Sequence, residues 1–166
     1  MSGEMAKLVV QNSLFDDNWK LSSLIVPATM YTEPEYATIG IASEDMAASK
    51  GMKVDTYRTG LEHNDRAILE GSNVGFCKVF CKAGTDEIVG ATIVADRAGE
   101  MINEVGLAMK NGVGLQAVGR NIHCYPTTGE AVMMCGVQSL SAISPGPDGS
   151  TLRLGCGFGG GRTLRK

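Results

Sequence analysis

Three segments of alternating and β-branched residues, two of them joined by a tight turn, constrain the fold of this 166-residue chain more than any other feature. The segments run over 52–59, 74–82 and 87–95, and a period of two is typical of strands that bury one face. The turn 83–86, Ala-Gly-Thr-Asp, leaves the last two segments close together in sequence. They are therefore predicted to form an antiparallel hairpin.

Helical patterns surround these strands. The clearest one spans 97–111, where apolar residues recur on one stripe and Gly112 marks the end of the helix. We interpret this stripe as part of the core. A shorter helix is predicted over 44–50, capped by Ser43, and another over 128–141, with a carboxylate in its first turn. The pattern indicates a single domain that contains both helices and strands.

The composition excludes some classes of partner. A net charge of -3 argues against nucleic acid as the main partner, and 43% hydrophobic with 20% charged residues is typical of a globular protein. The longest apolar runs, such as 24–26 and 131–135, fall far short of the ~20 residues of a membrane span. No signal peptide is recognisable. We therefore expect a soluble protein with no membrane and no nucleic acid partner.

Five cysteines, an odd number, argue against a secreted disulfide framework. The chain is therefore expected in a reducing compartment, either the cytoplasm or an organelle. Cys77 and Cys81 lie in an alternating segment, so both point to one face of a strand. No second pair of ligands follows at metal-binding spacing, and we interpret the two as core or interface residues rather than metal ligands. The remaining cysteines are Cys124, Cys135 and Cys156.

The two ends of the chain differ from its middle. Residues 4–15 carry apolar side chains at helical spacing, followed by a polar loop. The segment 144–166 is rich in Gly, Pro and Ser and is expected to be disordered. Its glycine run follows no predicted strand and opens no helix, so it does not match a nucleotide-binding fingerprint. The folded domain is therefore predicted between these ends.

The run 123–130, His-Cys-Tyr-Pro-Thr-Thr-Gly-Glu, resembles the His-Pro-Thr-x-x-Glu signature of the flavoprotein disulfide reductases, the class I pyridine nucleotide-disulfide oxidoreductases. Tyr125 stands where the family has its acid/base histidine, and Glu130 matches the carboxylate partner of that histidine. The stretch 25–40 resembles the family segment Val-Pro-x-x-x-Phe-Thr-x-Pro-Glu, and 97–111 resembles its Ala-x-Glu-Met-Ile helix. The matches occur in the family's order along most of the chain.

The resemblance implies the carboxy-terminal dimerisation domain of that family, which includes glutathione reductase, dihydrolipoamide dehydrogenase and mercuric reductase. It implies an α+β fold in two layers, with an antiparallel sheet of about five strands packed with helices. On this basis 25–143 is the dimerisation domain, 1–24 is a remnant of the preceding FAD-binding domain, and 144–166 is a tail. The presence of tyrosine at position 125 resembles the mercuric reductase branch of the family. The family pattern also predicts a cis Tyr125–Pro126 peptide.

By this resemblance the function is assembly of a homodimeric, FAD-dependent oxidoreductase that uses NAD(P)H. FAD and NAD(P) would belong to the missing domains of the parent chain, so the isolated chain would bind neither and would not be an enzyme. Tyr125 and Glu130 would be lent to the active site of the partner subunit. A phenol, with a pKa of ~10, stays protonated where an imidazole, with a pKa of ~6.5, exchanges its proton. Tyr125 is therefore expected to donate a hydrogen bond or to act as a ligand rather than as a general base.

Alternatives remain open at this point. The chain could be a free-standing small protein that binds thiols or metals through Cys124, Cys135 and Cys156, or a decoy partner of a full-length reductase. His123, two positions before the tyrosine of the motif, could replace the missing base or could be a structural histidine. His63, in a polar loop, is interpreted as an exposed residue.

Overall fold

A five-stranded antiparallel sheet is the framework of the computed structural model, which describes residues 2–15 and 18–143. The strands are β1 (Ala28–Met30), β2 (Glu35–Gly40), β3 (Val54–Gly60), β4 (Phe76–Lys82) and β5 (Ile88–Ala95). Their order across the sheet is β1-β2-β5-β4-β3, and every neighbouring pair is antiparallel. The predicted α+β fold with about five antiparallel strands is confirmed. The expected disorder of 144–166 concerns residues outside the described part.

Six α-helices lie in the described part of the chain. They are α1 (Ser2–Leu14), α2 (Glu44–Ser49), α3 (Asp65–Glu70), α4 (Ala98–Lys110), α5 (Leu115–Arg120) and α6 (Glu130–Ile143). The helices predicted over 44–50, 97–111 and 128–141 correspond to α2, α4 and α6. As predicted, the hydroxyl of Ser43 caps α2, where it accepts a hydrogen bond from the N–H of Met46 at 3.1 Å. Within residues 2–15 and 18–143, no helix combines the length and apolar character needed to cross a bilayer.

The sheet packs against α4, α5 and α6 to form the main core. Cys77 and Cys81 on β4 are both fully buried in it, as the alternating pattern predicts, and so is Cys135 on α6. The apolar stripe of α4 lies in the same core, with Met101, Val105 and Ala108 buried. A smaller cluster around Phe80 packs against α2. The largest fully buried aliphatic side chains of the main core are Ile39, Leu61, Val79, Ile93, Ile102, Val105, Leu115 and Val132.

α5 and α6 carry the segment that contains the sequence motif. Residues 121–129 connect the two helices, and we call them the motif loop. The beginning of α3 lies against this loop. Asn64, just before α3, forms a hydrogen bond with Thr127, and Asp65 forms one with Tyr125. The fold thus assembles one site from two distant segments.

Candidate functional site

The motif loop is fixed by a dense set of local contacts. Its Tyr125–Pro126 peptide is cis, which confirms the prediction. The hydroxyl of Thr127 donates to the carbonyl oxygen of Cys124 at 2.8 Å, so it closes the loop instead of capping α6. The N–H of Thr127 donates to Oε2 of Glu130 at 3.1 Å. The backbone on both sides of Pro126 is therefore tied to its neighbours.

Tyr125 lies at the outer side of this loop. Its side chain is 71% exposed, and its phenolic O–H donates to the carboxylate of Asp65 in the first turn of α3. This hydrogen bond and the negative charge of Asp65 raise the pKa of Tyr125 above its usual value. The phenol therefore stays protonated at neutral pH, as the sequence predicts. Because its single proton is donated to Asp65, the phenol oxygen can only accept hydrogen bonds from other groups.

Glu130 is the first residue of α6 and is half-buried. Its carboxylate accepts from the N–H of Thr127, three residues earlier, which is one of the two hydrogen bonds of a capping box. A carboxylate in the first turn also complements the helix dipole, as predicted for this helix. Tyr125 lies in the motif loop and Glu130 at the start of α6, which follows it. Their hydrogen-bond partners differ: Tyr125 donates to Asp65, whereas Glu130 accepts from the backbone of Thr127.

Asn64 joins α3 to the motif loop. Its side chain, 6% exposed, accepts from the N–H of Ala67 at 3.0 Å and so caps α3. Its amide group donates to the carbonyl oxygen of Thr127 at 3.0 Å. Sequence reasoning finds neither Asn64 nor Asp65 as a site residue. The pattern Asn64-Asp65 has the form of a helix start, but nothing local in it indicates the contact with the motif.

His123 is a structural residue of the site. Its side chain is only 10% exposed, and its Nε2 lies 2.8 Å from Oε1 of Glu104 on α4. Its Nδ1 lies 3.0 Å from the carbonyl oxygen of Asn121. Both ring nitrogens are therefore occupied by protein oxygens, and the interpretation of His123 as a structural histidine fits the geometry better than its use as a substitute base. His63 is exposed, as predicted.

The cysteines named for a thiol or metal site have very different surroundings. Cys124 is exposed on the motif loop. Cys135 is fully buried, and its Sγ donates to the carbonyl oxygen of Cys77 at 3.5 Å. Cys156 lies outside the described residues. In the part of the chain that the structure covers, no three His, Cys, Asp or Glu side chains come together in a way that could hold a metal ion.

Comparison with known proteins agrees with this architecture. The family model described as "Pyridine nucleotide-disulphide oxidoreductase, dimerisation domain" matches residues 26–135. Dihydrolipoyl dehydrogenase 3 of Haloarcula marismortui is 33% identical over 108 residues, which cover 65% of this chain and 22% of that protein. Dihydrolipoyl dehydrogenase of Trypanosoma brucei brucei is 36% identical over 121 residues, covering 70% of this chain and 25% of that protein. The chain thus spans about a quarter of the length of these curated relatives.

Solved structures share the same fold. LpdA from Mycobacterium tuberculosis superposes with a TM-score of 0.71 at 23% identity, covering 80% of this chain and 28% of that one. The HOCl-induced flavoprotein disulfide reductase RclA from Escherichia coli gives a TM-score of 0.69 at 20% identity, with 76% and 29% covered. These TM-scores show the fold alone. The family is shown by the match of the family model over 26–135. The chain therefore belongs to the pyridine nucleotide-disulphide oxidoreductases and carries their dimerisation domain.

Proposed function

We propose that this chain is the assembly domain of a homodimeric, FAD-dependent oxidoreductase that uses NAD(P)H, and that it lends Tyr125 and Glu130 to the active site of the partner subunit. The observation that carries the proposal is the exposure of the motif loop. Ile122 is 94% exposed and Tyr125 is 71% exposed, although the backbone between Cys124 and Glu130 is held by hydrogen bonds. A loop that presents an isoleucine and a tyrosine to solvent is well suited to contact a second subunit.

The cofactors of such an enzyme fit other parts of a parent protein better than the described residues. Dinucleotides bind where a parallel strand leads through a glycine-rich turn into a helix. Each neighbouring strand pair in the described sheet is antiparallel. In the proposal, FAD and a nicotinamide cofactor supply the electron transfer from elsewhere in the parent enzyme, while this chain supplies the contact between subunits and the side chains of the motif loop.

Segment 1–24 is proposed to be a remnant of a preceding FAD-binding domain. None of the described residues of α1 is buried. Its apolar side chains Val9 and Leu14 are 60% and 72% exposed, and Phe15 just after it is 63% exposed. A helix with apolar side chains and no buried residue needs a covering surface, which the parent domain would supply.

The branch of the family is also part of the proposal. Tyr125 in place of histidine favours the mercuric reductase-like branch, whereas the relatives compared above are dihydrolipoyl dehydrogenases. A phenol held as an acceptor does not perform the proton exchange of an imidazole at neutral pH. We therefore keep a dithiol-linked function without a histidine base as the working hypothesis, in a reducing compartment such as the cytoplasm or an organelle.

The alternative of a small thiol- or metal-binding protein has less support. It requires Cys124 and Cys135 to act together, but one is exposed on the motif loop and the other is fully buried beside Cys77. The exposed Cys124 and the buried Cys135 therefore differ in their access to a substrate or a metal ion, and a site that needs both thiols together has no support from this arrangement.

Light scattering on the purified chain at micromolar concentration tests the assembly function. The expected mass is twice the 17.5 kDa of one chain. Ile122→Asp should lower the fraction of dimer, because it would place a charge in the interface. Leu14→Asp, at another exposed apolar position on α1, is the control and should leave the dimer intact. A monomeric wild-type chain, or a dimer insensitive to Ile122→Asp, would contradict the proposed role of the motif loop.

A further inference from the structure

Two carboxylates stand near the phenol of Tyr125, and they have different roles. Glu130 accepts from the N–H of Thr127 at 3.1 Å and is engaged in holding the start of α6. Asp65 accepts the phenolic proton of Tyr125. The resemblance to the family gives the partner role to the carboxylate five residues after position 125, which is Glu130. In this chain the carboxylate that binds the side chain comes from a different element.

We propose that Asp65 is the positioning residue of Tyr125, taking the place that the family motif gives to Glu130. This inference deepens the proposed function and rests on it for the role of Tyr125. Asp65 would orient the phenol, hold its proton and keep its oxygen free as an acceptor toward the partner subunit.

The position of Asp65 is built into the fold. Asn64, directly before it, is buried and bonds both to Ala67 in α3 and to the carbonyl oxygen of Thr127 in the motif loop. The start of α3 is thus anchored to the loop that carries Tyr125. Asp65 and Tyr125 are neighbours because their backbones are joined through the Asn64 contact, and not only because two exposed side chains happen to meet.

The nearby guanidinium groups are directed elsewhere. Nε of Arg66 lies 2.7 Å from Oε1 of Glu70, and Arg97 reaches the same oxygen at 3.2 Å. Glu70 therefore binds the guanidinium groups of both arginines. The carboxylate of Asp65 accepts the phenolic hydrogen bond. This hydrogen bond is the first cause of the raised pKa of Tyr125, and the negative charge of Asp65 is the second.

This arrangement restricts what Tyr125 can recognise. A phenol has one proton to donate, and here Asp65 accepts it. The oxygen can then accept a hydrogen bond from a thiol, a hydroxyl or an ammonium group. A thiolate or carboxylate would meet the oxygen lone pairs and the charges of Asp65 and Glu130, and would be repelled. The pair therefore suits a substrate group that donates a hydrogen bond.

Titration of Tyr125 in the 166-residue chain tests the assignment. The chain is labelled with carbon-13 at the phenolic carbon of tyrosine, and the resonance of Tyr125 is identified by its absence in Tyr125→Phe. We expect Asp65→Asn to shift the pKa of Tyr125 downward, toward that of an ordinary tyrosine. Asp65→Glu, which restores a carboxylate, should bring the pKa back up, a rescue that a purely structural role would not produce.

Two further variants separate the possible causes. Glu130→Gln should lower the pKa of Tyr125 less than Asp65→Asn does, because Glu130 acts on the phenol only through its charge. Asp45→Asn, in the first turn of α2, is the matched control for an aspartate at a helix start and should have no effect. If Asp65→Asn perturbs the fold, Asp65→Ser serves as the second neutral variant. A larger shift in Glu130→Gln, or none in either neutral variant of Asp65, would overturn the proposal.

The effect of Asp65→Asn on the pKa of Tyr125 is compared with the wild-type chain in the same state of assembly, which light scattering determines. A lowered pKa in Asp65→Asn measured on a chain that proves monomeric would support the positioning role and contradict the assembly function. An unchanged pKa in Asp65→Asn, measured on a chain that proves dimeric, would contradict the positioning role and support the assembly function. The two hypotheses therefore fail separately.

Discussion

Gly119 on α5 and Gly136 on α6 approach each other backbone to backbone. A Cβ placed on Gly119 would lie 2.4 Å from the carbonyl carbon of Gly136, and a Cβ on Gly136 would lie 2.4 Å from the amide nitrogen of Gly119. Only glycine permits this distance. Because the motif loop connects these two helices, their close crossing sets the distance that the loop has to span.

Substitution of either glycine by alanine should therefore separate the helices. We expect Gly119→Ala and Gly136→Ala each to reduce the free energy of unfolding by about 1–3 kcal/mol or more, as for overpacked sites. Urea denaturation measures the change. Gly3→Ala on α1, whose added methyl group would meet nothing within 4 Å, is the control and should be neutral or slightly stabilising. Equal effects at all three positions would contradict the helix-crossing argument.

Removal of the Asn64 side chain should affect both α3 and the motif loop. Asn64→Ala loses the cap of α3 and leaves the carbonyl oxygen of Thr127 without this donor. We expect a loss of roughly 2–3 kcal/mol in unfolding free energy, the sum of a cap and a buried hydrogen bond. Ser43→Ala, which removes only the cap of α2, should cost about 1 kcal/mol. Faster amide hydrogen exchange in the motif loop is expected for Asn64→Ala alone.

The two histidines should differ in their effect on stability. His123→Ala removes the contact with Glu104 and leaves a space between α4 and the motif loop. We expect a loss of roughly 1–3 kcal/mol. His63→Ala, at an exposed position, should stay within about 0.5 kcal/mol of the wild type. Thermal unfolding at neutral pH compares the two, and a stable His123→Ala chain would count against its structural role.

Stability should decline at alkaline pH in part because of Cys81. Burial, with smaller contributions from Asp86 and Asp55, raises the pKa of its thiol to about 12. In the unfolded chain a thiol ionises near pH ~8.5, so between these values the unfolded state binds fewer protons and becomes relatively more stable as pH rises. The slope from one such group is at most about 1.4 kcal/mol per pH unit.

The variant Cys81→Ala should therefore lose less stability than the wild type when the pH is raised from 8 to about 11. Cys124→Ala, which removes an exposed thiol instead of a buried one, is the matched control. Denaturant titrations at several pH values measure the slopes. Parallel curves for wild type and Cys81→Ala would show that this thiol does not contribute.

Elements with a strong local signal were predictable from the sequence. The hairpin of β4 and β5 follows from alternation and a turn of suitable residues, and the start of α2 follows from the hydroxyl of Ser43. Glu130 at the first position of α6 likewise follows from the preference for a carboxylate at a helix start. Each of these depends on residues only a few positions apart.

Elements without such a signal were not predictable. β1 has three residues, Ala28–Met30, and exists because β2 offers it a hydrogen-bonding edge. α5 has six residues, and its packing depends on the contact between Gly119 and Gly136. In both cases tertiary contacts decide the local structure.

The candidate site was predictable only in part for the same reason. Tyr125 and the cis peptide follow from the motif, because eight consecutive residues carry it. Asp65 lies 60 positions away from Tyr125, and the hydrogen bond between them is a product of the fold. The partner of the tyrosine therefore had to be found in the structure.

The contacts of the motif loop with α3 limit how the site can be transplanted. A synthetic peptide with the sequence of residues 121–130 would contain the tyrosine, the proline and the glutamate, yet it would lack the acceptor of the phenolic proton and the donor to Thr127. Grafting the loop onto another scaffold would require the two residues at the start of α3 as well. The smallest unit that preserves these contacts therefore consists of two chain segments, the motif loop and the start of α3.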